Sequence, residues 1–103
     1  MLSRIRPLAP TKLILIPADN LYPGTMPTVL RDGAYRFFFY SGDRDEPPHV
    51  HVERDDCEAK FWIDPVRLEW SRGFSRKEIN QIQAIVEGSQ PELLDRWNEY
   101  FDV

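Results

Sequence analysis

The sequence predicts an α+β domain: a four-stranded antiparallel meander sheet followed by two C-terminal helices packed on one face. Two observations predict it. Between residues 35 and 70, short aromatic or alternating apolar runs are separated by tight turn signals, as in half-buried strands. From residue 74 the apolar spacing lengthens to three and four, the period of an amphipathic helix. Short links make successive strands antiparallel neighbours. A ββββαα order puts the helices on one side of the sheet.

The first 25 residues stand apart. They hold four of the nine prolines, Pro7, Pro10, Pro17 and Pro23. Beyond "KLILI" they show no periodic pattern, and "ADNLYPGT" carries turn chemistry. Three readings stay open: an N-terminal arm, an extra edge strand "TKLILI", or a stretch upstream of a natural start at Met26. Residues 26–103 are expected to form one domain.

The strands come next. "YRFFFY" (35–40) is bounded by Asp32-Gly33 and Ser41-Gly42-Asp43. "HVHVER" (49–54) alternates strictly. "EAKFWI" (58–63) and "VRLEW" (66–70) are divided by Asp64-Pro65, where proline cannot donate to a ladder. Two helices follow. Ser75 caps the first, with Glu78 completing a capping box and Phe74 and Ile79 forming a staple. Ile79, Ile82, Ile85 and Val86 make its stripe, and Gly88 suits a left-handed C-terminal position. In the second, Ser89 caps, Pro91 enters the first turn, Glu92 completes the box, and Leu93, Leu94, Trp97 and Phe101 make the stripe.

Strand parity then divides the sheet. Val50, Val52, Ala59, Phe61, Ile63, Val66, Leu68, Trp70, Tyr35, Phe37 and Phe39 are expected to face the helices. The other face collects Arg36, Phe38, Tyr40, His49, His51, Lys60, Trp62 and Arg67. Two helices of about three turns cannot cover both sides of a sheet. That second face is therefore expected to be open or covered by a partner, unless the "LILI" run folds over it.

Composition bounds the function. Hydrophobic residues are 42% and charged residues 29% of 103, as in a folded domain. The formal charge of −4 excludes a broad basic footprint for duplex nucleic acid. Cys57 is the single cysteine, so no internal disulfide forms and a reducing cytoplasm is expected. Its acidic neighbours Asp55, Asp56 and Glu58 disfavour a reactive thiolate. The longest aliphatic run, Leu13–Ile16, is far short of the roughly 20 residues that span a bilayer, so no membrane contact is expected. No cofactor motif is present.

The stretch from "MPTVLRDGAYRFFFYSGDRDEPPHVHVE" through "EAKFWIDPV" to "LLDRWNEYF" resembles a family of small prokaryotic proteins, the domain of unknown function 4160. The resemblance runs from Met26 to Phe101. It implies no established activity. It does imply genes that stand beside a second small gene in toxin–antitoxin-like pairs, with this domain as the toxin-like member and a cognate small protein as partner.

Within this frame the His-x-His strand has four readings. It can be part of a docking face for that cognate protein, which is the leading expectation. His49 and His51 can serve as acid and base of a metal-independent ribonuclease acting on RNA. Arg36, Lys60 or Arg67 would then hold phosphate, and Phe38, Tyr40 or Trp62 would stack a base. The two imidazoles, at a spacing of roughly 6–7 Å, can hold a metal with Asp43, Asp45, Glu46 or Glu53 as third ligand. Or they can simply hydrogen-bond Tyr40, Glu53 or Glu69 on a solvated sheet.

Overall fold

The computed structural model describes residues 14–15 and 27–102. The chain runs β1 (Ile14–Leu15), β2 (Thr28–Asp32), β3 (Tyr35–Phe38), β4 (His49–Arg54), β5 (Cys57–Ile63), β6 (Val66–Arg72), α1 (Arg76–Gly88) and α2 (Gln90–Phe101). Each strand pairs antiparallel with the next, so spatial order equals chain order. The two helices pack on the sheet, α1 against β5 and β6 and α2 against β5. No helix among the described residues is long and apolar enough to cross a membrane.

The expected meander of four strands is corrected to five, β2 to β6, with the two-residue β1 added at the free edge of β2. The fifth strand, "TVLRD", escapes a period-two reading for a physical reason. Its register shifts between Thr28 and Leu30, and both Val29 and Leu30 are buried. A bulge lets adjacent residues turn inward, which erases the alternation. The remaining readings of residues 1–25 lie outside the described residues.

One face of the sheet and the two helical stripes form the core. Phe37, Phe39, Val50, Val52, Ala59, Phe61 and Ile63 meet Ile79, Ile82, Val86, Leu93, Trp97 and Phe101. Tyr35, Val66, Leu68, Ile85 and Leu94 close its margin. Trp97 is the hub of the α2 side, with Phe101 at 4.3 Å and Phe39 at 5.2 Å between ring centroids.

Local signals fix the helices only in part. The Ser75 side chain accepts from the Glu78 backbone N–H at 3.1 Å. The Glu78 carboxylate also takes both Nε and Nη2 of Arg54 at 2.8 Å and the Tyr35 hydroxyl at 3.0 Å. The first turn of α1 is thereby pinned to β3 and β4. Two capping expectations are corrected. Gly88 stays within α1 and is not left-handed. Ser89 makes no side-chain cap; it is buried between the helices, and its backbone carbonyl accepts from Leu93 N–H. The link from β6 to α1 turns at Gly73, with φ +93, where an added Cβ would stand 2.8 Å from Cys57 Sγ.

Candidate functional site

Register assembles the second sheet face in three rows. His49 pairs Trp62, which pairs Arg67. Phe38 pairs His51, His51 pairs Lys60, and Lys60 pairs Trp70. Arg36 pairs Glu53, Glu53 pairs Glu58, and Glu58 pairs Arg72. Tyr40, just beyond β3, lays its ring edge-on to His51 at 4.4 Å and to Phe38 at 5.3 Å. All eight residues nominated for this face from sequence parity thus share it: Arg36, Phe38, Tyr40, His49, His51, Lys60, Trp62 and Arg67.

Trp70 joins them, against expectation. Lys60 pairs Trp70 while Phe61 pairs Leu68, so Glu69 is an extra residue on β6. One inserted residue reverses the parity of everything after it. Trp70 therefore leaves the core side and lies 37% exposed, its ring 6.2 Å from that of His51.

The expectation of an open face is corrected at its centre. His49 and Phe38 are 0% exposed and His51 5%. The sealing groups are visible on the same face. The Arg36 guanidinium sits 4.5 Å over the Phe38 ring, and Phe38 stacks on His51 at 5.5 Å. Trp62 meets the His49 ring at 5.5 Å, with Lys60 over its own face at 4.7 Å. His49 also reaches Trp97 of α2 at 5.1 Å. Of the eight nominated residues, Arg67 alone is exposed.

The link from β3 to β4 folds a carboxylate onto the imidazoles. Asp43 opens a 3-10 turn, Asp43–Asp45. Its backbone N–H donates to Tyr40 O at 3.0 Å, and its Oδ2 accepts the Tyr40 N–H at 3.2 Å. Arg44 ties the turn to the end of α2 by donating to Phe101 O at 2.6 Å. Pro47 and Pro48 then carry the chain stiffly into β4. Asp43 Oδ2 consequently lies 2.7 Å from His49 Nε2 and 3.2 Å from His51 Nε2.

The opposite ring nitrogens are also placed. His49 Nδ1 lies 2.9 Å from Pro47 O. His51 Nδ1 is buried, makes no hydrogen bond among the described residues, and faces Glu58 Oε2 at 3.5 Å. Glu58 in turn accepts the Tyr40 hydroxyl at 3.0 Å and Arg72 at 3.3 Å. Burial pushes the His51 pKa below the ordinary imidazole value of 6.5, against the pull of Asp43. Burial, and next the hydrogen bond to Glu58, raises the Tyr40 pKa above 10.0.

Of the four carboxylates considered as a third ligand, Asp43 is the one at the imidazoles. Asp45 is exposed. Glu46 pairs Lys60 at 2.6 Å and approaches only the Nδ1 side of His49, at 3.7 Å. Glu53 is held by Arg36 at 2.8 Å. Among the described residues, Asp43, His49 and His51 are the set whose ligand atoms all lie within 4.8 Å of one another. The solvated-sheet reading fails on burial, and Glu69 bonds Trp62 Nε1 at 2.7 Å instead of a histidine. Sequence reasoning missed Glu58, although it shares the parity of Lys60 and Trp62.

A protein-family model, described as a domain of unknown function (DUF4160), matches residues 34–98. No curated protein matches the chain. No solved structure matches it. The matched segment begins just before β3 and ends in α2, so it contains Asp43, both histidines and Glu58. The chain belongs to the DUF4160 family.

Proposed function

We propose that this chain is a partner-binding protein, the toxin-like member of a toxin–antitoxin-like pair. It grips a cognate small protein at the β6 rim of the histidine-bearing face. The observation that carries this reading is Trp70, the exposed large hydrophobic residue among the described residues. It lies between the exposed Arg67 and Arg72 on the last strand of the sheet. Tryptophan and arginine dominate binding energy at protein interfaces because each combines broad apolar area with a polar handle. A terminal strand also presents unpaired backbone groups that an extended segment of a partner can continue.

The binding surface is accordingly narrower than the face as a whole. Phe38 and His49 have no surface to offer a partner, and His51 has almost none. They fix the positions of the rim residues instead, through Trp62, Lys60 and Trp70. The same burial weighs against the ribonuclease reading. Both His49 ring nitrogens face acceptors inside the protein, which leaves none to exchange a proton with an RNA hydroxyl.

Co-expression of the tagged chain with the small protein encoded beside it tests the proposal. Retention is expected to fall more than about tenfold for the Arg67→Ala, Trp70→Ala double variant, with the helical circular dichroism unchanged. Undiminished retention by that folded variant would contradict it.

A further inference from the structure

The buried centre brings two imidazoles to one carboxylate oxygen, an arrangement that the docking reading does not use. A neutral imidazole has one N–H donor and one lone pair. Pro47 O can only accept, so His49 Nδ1, at 2.9 Å, carries the proton. His49 Nε2 faces a carboxylate oxygen at 2.7 Å. His51 repeats the arrangement. Its Nε2 faces Asp43 Oδ2 at 3.2 Å and its Nδ1 faces Glu58 Oε2 at 3.5 Å. Both Nε2 atoms thus converge on the one oxygen Asp43 Oδ2, and each ring has an oxygen behind its Nδ1.

A cation at the convergence of both Nε2 atoms and Asp43 would give every one of these four contacts a use. Each imidazole would donate Nδ1–H outward, His49 to the Pro47 carbonyl and His51 to the Glu58 carboxylate. Each would turn its Nε2 lone pair to the ion. A backbone carbonyl or carboxylate behind each ligating histidine is the arrangement that fixes the tautomer in metal sites. The spacing fits. Ligands about 2.0–2.1 Å from a tetrahedral ion lie about 3.3 Å apart, close to the Asp43–His51 separation. The Asp43–His49 contact has to open by about 0.6 Å on the same geometry. Asp43 sits on a surface turn with its side chain 15% exposed, so one ligand of the set meets solvent.

We propose that Asp43, His49 and His51 bind one first-row divalent transition-metal ion, with Pro47 O and Glu58 as the groups that orient the two imidazoles. Two imidazoles and one carboxylate form a borderline-soft set that suits Zn²⁺, Fe²⁺ or Co²⁺ and not Ca²⁺ or Mg²⁺. Three protein ligands leave a coordination position for a small oxygen ligand.

The test uses the full chain, purified and stripped with chelator. Long-range ¹H–¹⁵N spectra of the imidazoles are recorded during titration with ZnCl₂. The expected result is saturation at one ion per chain, with the Nε2 resonances of both histidines shifting and both Nδ1 atoms protonated. Imidazole nitrogens unmoved at excess Zn²⁺ overturn the proposal, as does binding that moves neither Nε2. CoCl₂ titration of the Glu58→Gln variant is the second readout, since Glu58 touches the site from outside. Affinity is expected to fall about 10–100-fold with one ion still bound. Affinity equal to that of the unmodified chain would remove Glu58 from the site.

Discussion

Asp43 Oδ2 stands 2.7 Å from His49 Nε2, and this contact joins a surface turn to the most deeply buried polar side chain of the sheet. The same oxygen accepts the Tyr40 N–H. Removing the carboxylate therefore leaves the part-buried Tyr40 N–H without its acceptor, takes away the oxygen that both Nε2 atoms face and frees the turn. Asp43→Ala is expected to lower unfolding stability by about 1–3 kcal/mol, the cost of leaving buried polar groups unpaired. Urea denaturation checks it; an unchanged midpoint would show the contact to be dispensable.

Trp70 and Trp97 are expected to differ sharply. The Trp97 ring is buried against Phe39, Phe101 and His49, so Trp97→Ala costs about 3–5 kcal/mol. Trp70 lies on the outer face beyond the β6 bulge and is 37% exposed. Its replacement by alanine is expected to cost less than about 1.5 kcal/mol, well under full burial of an aromatic. Equal losses in thermal or urea unfolding would mean that β6 keeps its alternation and that the bulge is absent.

Gly73 combines φ +93 with an approach to Cys57 that leaves no space for a side chain. Gly73→Ala is expected to destabilise by about 2–3 kcal/mol, from backbone strain and from the displaced thiol together. Gly73→Ala paired with Cys57→Ala relieves the Sγ contact but not the strain. The double variant should recover part of the loss, as a denaturation cycle would show.

The clamp between Arg54 and Glu78 sets an acid limit. Hydrogen bonds from Arg54 first, and then from Tyr35, hold the Glu78 carboxyl below its ordinary value of 4.5. The unfolded chain takes up that proton more readily than the folded chain. The contribution is complete above pH 4.5 and is lost as pH falls through the lower folded-state value. Glu78→Gln is expected to be less stable than the unmodified chain at pH 7 and to approach it as the pH drops below 4.5. A stability gap that stays constant across that range would exclude the linkage.

Much of this was legible in the chain because parity is a rigid rule within a strand. "HVHV" sends Val50 and Val52 to the core and both histidines to the other face, and the register bears this out. Parity fails where a residue is inserted. Glu69 reverses Trp70, and the shift near Val29 hides β2. Burial was less legible than direction. A face not covered by helices can still be sealed by its own aromatics, and here Phe38, Tyr40, Trp62 and a folded-back turn do so. The choice of Asp43 among four nearby carboxylates depended on the path of the turn, which sequence spacing does not give. The helix ends depend on contacts that the local sequence does not carry. A serine between two abutting helices is buried, and its backbone, not its hydroxyl, meets the next turn.

The two imidazoles are enclosed and face Asp43, and are not displayed. Hydrogen–deuterium exchange at the histidine C2 positions, read by mass spectrometry on the native chain, tests this most directly. His49 is expected to exchange far more slowly than in the urea-unfolded chain, with His51 close behind. Exchange of both rings at the unfolded rate in a chain that keeps its native circular dichroism would contradict it.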